Sequence, residues 1–449
     1  MDVPAAFLHS RLPKSQWVPI IIPASEAAII VEIRPEWKPY LQKDGSLVAM
    51  LTGNMYGTPQ AGMIWNTDLS GHIIKLGYVQ SKAEPCLFVK GKFPEDVSIV
   101  AIFVDDIHHW CSSDKYQTEL YNMLSREFSA PTLQDGKIGI GLGIEYDYTV
   151  PGEIRLAMVK YTEKYLKDFN ITSDAKTPAT SEFMKVDESS PPTSREKFAS
   201  QVMTIFYMAM RTRPDVLVYA AILATRISDA RVHDAEKLNR LARFIHATRY
   251  RGIVLRFRGN RVVLFVDASY NLYHNSRSQT GIYFTICDDT EEIRSNGTFF
   301  VRSLSQKVVG RASFDAEWIA LDTSKTPNLF IRDVISDLGI DQIATLVMED
   351  NEATIVSARQ GDRFRGKTSH IRVRVHSYAQ LIEAGVVEMR HCRSEDQVAD
   401  ALTKPLHTRR DLYSLMRVLN DYGHIFGDPY DEAADSISIY QLRGDEVKE

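Results

Sequence analysis

Three apolar runs in close succession, RVVLFVDAS (261–269), TGIYFTIC (280–287) and GTFFVRSLS (297–305), do most to restrict the folds open to this chain of 449 residues. Each is rich in β-branched and aromatic residues and bounded by polar segments, so each reads as a strand. Beyond them the pattern alternates. SFDAEWIALDTSKTPNLFIRDVISDLG has helical periodicity, ATLVMEDN reads as a strand, NEATIVSARQG as a short helix, VVEMRHC as a strand and DQVADALTK as a last helix. The order βββαβαβα predicts one mixed sheet flanked by helices.

The preceding residues divide differently. Residues 1–150 mix short apolar runs with a helical pattern at NTDLSGHIIKLGY, where Leu69, Ile73, Ile74 and Leu76 would form a buried face, and this predicts an α+β layer. Within it, IVAIFVDDIHHW (99–110) reads as a strand buried on both faces that ends in two adjacent carboxylates, Asp105 and Asp106. Buried carboxylates need a cation or a turn to receive them. From EIRLAMVKYTEKYLKDF onward the chain is mainly helical, broken by the linker-like TSDAKTPATSEFMKVDESSPPTSRE (172–196). FASQVMTIFYMAMRTRPDVLVYAAILATRI then reads as two helices split at Pro214, and AEKLNRLARFIHATRY as an amphipathic third. The closing GDPYDEAADSISIYQLRGDEVKE is acidic and reads as peripheral.

Composition excludes little. Hydrophobic residues at 44% and charged residues at 25% suit a folded globular chain, and a net charge of -5 neither supports nor excludes a nucleic-acid groove. The four cysteines, Cys86, Cys111, Cys287 and Cys392, show no C-x-x-C spacing, which argues against a zinc site or a disulfide framework and for a reducing, intracellular setting. The longest apolar stretch, WVPIIIPASEAAIIVEI, is too short and too broken by prolines and Glu26 to cross a bilayer, so no membrane partner is expected.

Four acids fall where chemistry could use them: Asp267 in VDAS, Glu317 in DAEW, Asp350 at the end of VMED and Asp400 in VADALTK. Each lies in or beside an apolar element. Convergent carboxylates repel one another unless divalent cations neutralise them, and Mg2+, or Mn2+ in its place, is the natural choice. Two such ions roughly 3.5–4 Å apart can activate a water and stabilise the leaving oxygen of a phosphodiester. The same physics applies to Asp105 and Asp106 with Asp2. Any one of these acids alone would read as a solvated residue or a helix cap.

Collinear segments then decide between these readings. DVPAAFLHS, LTGNMYGTPQAGMIW, LGYVQSKAEPCLF, FVDDI, LGIEY, KYTEKYL, TPA, MAMRTRPDVLVYA, ARFIHATRYRG, VDASY, RSQTGIYF, ASFDAEWIAL, MEDNEA, SHIRVRVH and VADALTKPL run in this order along the chain. In this set and order the chain resembles the reverse transcriptase plus ribonuclease H portion of a copia-type LTR retrotransposon polyprotein.

The resemblance implies a fold and a set of sites. The fold would be α+β: a partial reverse transcriptase palm over 1–150, a helical thumb or connection over 151–258, an α/β ribonuclease H-like domain with a mixed sheet over 259–410, and a helical, acidic tail over 411–449. Asp2, Asp105 and Asp106 correspond to the polymerase aspartates, with Asp2 and Asp105 the direct metal ligands. Tyr56, Gly57 and Gln60 of MYGTPQAG would lie beside an incoming dNTP, and LGIEY (142–146) matches a primer-grip stretch. Asp267, Glu317, Asp350 and Asp400 match the metal-binding ribonuclease H quartet and would cut the RNA of an RNA–DNA hybrid. RNA template and DNA primer are the other implied partners, together with further polyprotein segments, in the cytoplasm, in a virus-like particle or associated with the nucleus.

Arg363, Arg365, Lys367, Arg372 and Arg374 would contact hybrid phosphates. The plainer reading is a solvated helix face, because Ile371, Val375, Tyr378 and Ile382 have helical spacing around them. The family's fingers region would precede position 2, so the chain is expected to be N-terminally truncated and a weak polymerase. His108 and His109, where the family more often has apolar residues, are expected in solvent. The alternative function is a non-catalytic relic that binds nucleic acid or another protein. A host ribonuclease H-like nuclease fused to an unrelated domain would account for the last third but not for FVDDI.

Overall fold

A computed structural model describes residues 1–134, 136–256, 259–287, 296–365 and 369–407. These fall into two units, Met1–Asp135 with Asp333–Ile340, and Gly136–Arg332 with the residues from Asp341 on. The expected acidic tail lies outside the described residues. Among the described residues no helix is long and apolar enough to cross a membrane.

The first unit begins with a short helix, α1 (Ala6–His9), and an antiparallel pair, β1 (Val18–Ile22) and β2 (Leu47–Leu51), joined through α2 (Ala24–Ile33). Then follow α3 (Ala61–Lys75), four antiparallel strands in sequential order, β3 (Val79–Gln80), β4 (Leu87–Lys92), β5 (Asp96–Phe103) and β6 (Asp106–Cys111), and α4 (Asp114–Glu127). One core joins them: Trp65, Leu69 and Ile73 from α3 pack with Phe88, Val100, Ile102 and Ile107 of the sheet and Leu120, Met123 and Leu124 of α4. Ile74 departs from the expected helical face and is exposed, because the face is carried by residues three and four apart. β5 also departs from a strand buried on both faces: Val100 and Ile102 are buried, while Phe103 and Val104 face outward. Its aspartates are therefore received by a turn at the rim rather than by the interior.

The second unit opens on a small antiparallel sheet in the order β10-β9-β8-β7. Its strands are β7 (Ile138–Gly141), β8 (Ile144–Asp147), β9 (Ile154–Ala157) and β10 (Ile253–Leu255). Leu142 and Gly143 form the β7–β8 turn, both with positive φ (54° and 77°), the conformation that two-residue hairpins require. β10 can approach β9 only because Gly252 has no side chain; a Cβ there would stand 2.1 Å from the Leu156 carbonyl oxygen.

Between β9 and β10 lie α5 (Val159–Asp168), α6 (Arg195–Ala209), α7 (Leu217–Ala224) and α8 (Val232–Ala247). The split at Pro214 is as expected. In α8, Leu238, Leu241, Ala242 and Ile245 recur at helical spacing and are all buried. The linker-like stretch is not a free linker. Arg240 donates to Thr177 Oγ1 (2.7 Å) and Arg243 to the Asp174 carbonyl (2.8 Å), His246 Nδ1 meets the Asp174 carboxylate at 2.6 Å, and Ala179 and Phe183 enter the helical core. Its polar composition hid a few apolar anchors and the cations of α8 that hold it.

The final elements are β11 (Arg261–Ser269), β12 (Gln279–Cys287), β13 (Phe300–Ser305), α9 (Ser313–Asp337), β14 (Thr345–Glu349), α10 (Glu352–Gln360), α11 (Ser369–Glu383) and β15 (Val387–His391). They form the expected mixed sheet in the order β13-β12-β11-β14-β15, antiparallel on the β12 side of β11 and parallel from β11 through β14 to β15. DQVADALTK is not the α-helix expected. A 3₁₀ turn, Ser394–Asp396, ends at its first residue, the backbone is extended at Gln397 (ψ 95°), and a second 3₁₀ turn, Val398–Leu402, follows, with the Gln397 side chain accepting from the Ala399 N–H at its start.

A buried ion pair ties the helical layer together. Arg213 (1% exposed) and Asp215 (0%) form a two-pronged pair at 2.9 and 2.8 Å, and Arg213 also donates to the carbonyl (2.9 Å) and hydroxyl (2.8 Å) of Thr248. Removing one partner strands a buried charge, so Asp215→Ala is expected to lower unfolding free energy by about 3–5 kcal/mol. Lys164→Ala, which breaks the exposed pair with Asp168, should cost under about 1 kcal/mol. Urea denaturation of both variants checks the difference.

Candidate active site

The site is made where two parallel strands part. β11 and β14 pair at Val263↔Leu346, Leu264↔Val347 and Phe265↔Met348, and there the ladder ends. Asp267 lies two residues further along β11, and Asp350 is the first residue after β14. Glu317, on the first turns of α9, completes a group in which one carboxylate oxygen from each residue lies within 4.8 Å of the others. Among the described residues this is the one group of three or more acidic, histidine or cysteine side chains so close together.

Burial sets the electrostatics. Asp267 is 3% exposed and Glu317 5%, whereas Asp350 is half-buried. Desolvation pushes Asp267 up to about 7, helped by Asp400 and opposed by Lys404 and a hydrogen bond from Thr403 Oγ1. Glu317 is pushed to about 11 by desolvation, then by Glu349, Asp267 and Asp350, and its Oε2 has no hydrogen-bond partner. Asp350 Oδ2 accepts from Ser394 Oγ at 3.0 Å. Asp400, the fourth expected acid, is not in the group; its Oδ1 meets Lys404 Nζ at 2.6 Å.

Glu349, beside Asp350, was missed by sequence reasoning. It is fully buried, held well above the usual carboxylate range by desolvation, and its Oε1 accepts from the Asn351 N–H at 3.1 Å. The available signal was an acid inside the apolar strand of VMED. Hard oxygen donors from three separate chain segments, with a buried Glu317 oxygen left unpartnered, suit a divalent cation of the Mg2+, Mn2+ or Ca2+ kind.

The first unit brings its aspartates together by backbone. Asp2 bridges Asp106 and Thr132, and the Val3 N–H donates to the Asp105 carbonyl at 3.3 Å. Asp105 sits in the two-residue turn between β5 and β6, where Val104 has φ +59°, a costly conformation for a β-branched residue. Trp65 Nε1 donates to the Val104 carbonyl at 2.5 Å and holds that turn. Asp2 is exposed and Asp105 and Asp106 half-buried, and their carboxylates do not form a group like that around Asp267. His108 and His109 are not in solvent: both are half-buried, His109 meets Ser98 Oγ at 2.8 Å, and desolvation lowers it to about 4.

The remaining expected residues are scattered. Tyr56 is exposed and packs on Phe7 with ring centroids 4.6 Å apart; Gly57 has φ +89°; Gln60 lies at the start of α3. In LGIEY, Glu145 is buried and its carboxylate accepts from the Val159 and Lys160 N–H groups (3.2 and 3.0 Å) at the start of α5, a structural cap. Arg363, Arg365 and Arg372 are exposed, and Arg374 binds Asp322 at 3.1 Å. Lys367 lies outside the described residues.

The described residues thus present a strand-rich unit with an aspartate turn, and a mixed sheet with a three-carboxylate group. Residues 1–181 match the family described as reverse transcriptase (RNA-dependent DNA polymerase). The chain is 24% identical over 416 residues to the retrovirus-related Pol polyprotein from transposon TNT 1-94 of Nicotiana tabacum, covering 90% of this chain and 29% of that protein. With the Pol polyprotein from transposon RE1 of Arabidopsis thaliana it shares 24% identity over 375 residues, 82% of this chain and 25% of that one. The chain thus spans under a third of the length of either relative. A structure of the foamy viral protease-reverse transcriptase in complex with RNA/DNA hybrid aligns with 88% of this chain and 46% of its own at 11% identity, with a TM-score of 0.45. The chain is a relative of retrotransposon Pol polyproteins, as the collinear motifs implied.

Burial of the carboxylates makes stability fall with pH. Asp267 has a folded value near 7 against an ordinary 3.8, so the folded state binds the extra proton. Its stabilising contribution is full below about 3.8 and is lost as pH rises through about 7. With EDTA, Tm is expected to decline from pH 4 to 8, and the decline should flatten in Asp267→Asn or when Mg2+ is added. Differential scanning calorimetry across that range checks this.

Proposed function

We propose that this chain carries two phosphoryl-transfer sites of a retrotransposon Pol polyprotein: a divalent-metal-dependent nuclease that cuts the RNA of an RNA–DNA hybrid, and an RNA-directed DNA polymerase. The observation that carries the nuclease reading is the Asp267–Glu317–Asp350 group, whose oxygens lie within 4.8 Å of one another. Asp267, Glu317 and Asp350 would hold Mg2+ or Mn2+, with Asp400 completing the set. Such an ion, when bound, lowers the pKa of a water and stabilises charge on the phosphate.

The protein's own groups account for the rest. Thr403 holds Asp267 by a hydrogen bond, Ser394 holds Asp350, and Lys404 pairs with Asp400 while its charge favours the ionised form of Asp267. Arg363, Arg365 and Arg372 are the exposed cations proposed to contact hybrid phosphates, with Lys367 beside them in the sequence; Arg374 is engaged by Asp322 and is the weaker choice.

The polymerase reading rests on the Asp2–Asp106 bridge beside the Asp105 turn, within the region that matches the reverse transcriptase family. Asp2 and Asp105 would share ions with a dNTP lying near Tyr56, Gly57 and Gln60, and the primer and RNA template would complete the complex.

The two sites separate by mutation. Asp267→Asn and Asp350→Asn should each reduce Mg2+-dependent cleavage of a labelled RNA–DNA hybrid roughly 100-fold or more while sparing any primer extension. Asp105→Asn should abolish extension on an RNA template and leave cleavage intact. Cleavage that survives Asp267→Asn, or a folded parent chain that binds hybrid without cutting it, would sink the nuclease reading.

A further inference from the structure

Gln397 lies at the point where the sheet opens. It is 3% exposed. Its Nε2 donates to the Val266 carbonyl at 2.9 Å and, at a longer 3.4 Å, to the Met348 carbonyl. Its Oε1 accepts from the Ala399 N–H at 3.3 Å. Val266 directly precedes Asp267, Met348 stands two residues before Asp350, and Ala399 directly precedes Asp400.

The placement matters because the β11–β14 ladder stops at Phe265↔Met348. Beyond that pair no ladder bond between the two strands sets how far apart Asp267 and Asp350 stand. The primary amide has two hydrogens and sends one to each strand, while its oxygen anchors the 3₁₀ turn that presents Asp400. We infer that Gln397 is a positioning residue that fixes the ends of β11 and β14 and the Asp400 turn in the spacing the metal centre requires. This rests on the proposed divalent-metal site. Supporting groups around metal ligands commonly change affinity by about 10–100-fold, because small displacements of a ligand are costly.

Mn2+ binding to the full chain, followed by electron paramagnetic resonance without nucleic acid, tests this together with Tm in EDTA. Two variants complement each other: Gln397→Met keeps length and volume but removes the amide, and Gln397→Asn keeps the amide but withdraws it by one methylene. Asp267→Asn is expected to weaken Mn2+ binding more than 10-fold, and both Gln397 variants about 10-fold, with metal-free Tm within a few degrees of the parent. Parent-like Mn2+ affinity in Gln397→Met would overturn the inference, since filling space would then suffice. A metal-free Tm drop beyond about 10 °C in both variants would overturn it too, by making Gln397 a general structural residue. If Asp267→Asn leaves Mn2+ binding unchanged, it is the metal-site reading that fails, and the inference falls with it.

Discussion

The burial of Asp267 and Glu317 beside Asp350, with one oxygen of each within 4.8 Å of the others, is the constraint on which the candidate site of the second unit depends. In a low-dielectric interior three such charges cannot all persist unneutralised. The fold nevertheless delivers them from three independent places: a central strand, a long helix and the end of a parallel neighbour. Protonation offsets the cost in the metal-free chain, and a cation would offset it while leaving the carboxylates charged. Glu349, buried beside them, adds to the same strain.

Much of the surrounding structure keeps that arrangement rigid. The segment after the last strand returns across the sheet, where Ser303 Oγ donates to the Leu402 carbonyl (2.6 Å) and Gln397 reaches the ends of β11 and β14. Tyr219, buried in α7, donates to the Leu406 carbonyl at 2.7 Å, so the helical layer holds the far end of the segment that carries Asp400 and Lys404. α7 is itself positioned by the chain reversal at Pro214, which the Arg213–Asp215 pair locks to Thr248. A shared apolar core, including Phe265, Tyr283, Val398 and Leu402 beside Tyr219 and Leu241, joins the helical layer to the mixed sheet within this unit.

Long apolar elements were legible in the sequence because burial and period agree in them. RVVLFVDAS became β11 over the same residues, and the alternation after it became α9, β14, α10 and β15 in the expected order. Asp267, Glu317, Asp350 and Asp400 all stood out because each lies in or beside an apolar element, and the structure brings the first three of them together. Short strands were not legible: β7 to β10 have three or four residues each, and β10 depends on Gly252 meeting a partner nearly a hundred residues away. Tertiary anchoring was hidden too. Nothing local in TSDAKTPA says that Arg240 and Arg243 will hold it, and nothing local in DQVADALTK says that the Gln397 amide will cap a 3₁₀ turn and reach two strands. Asp2, Asp105 and Asp106 show the reverse case: the motif is plain in sequence, while the structure joins Asp2 to Asp106 through backbone bonds rather than through a carboxylate cluster.

The buried carboxylates of Asp267, Glu317 and Asp350 are proposed to form a cation site. A crystal structure grown with Mn2+, with an anomalous difference map recorded at the manganese edge, tests this. The expected result is a peak bounded by Asp267, Glu317 and Asp350, with coordination distances of about 2.0–2.3 Å. A map with no peak there, and with the three carboxyl groups hydrogen-bonded to one another as protonated neighbours, would contradict it.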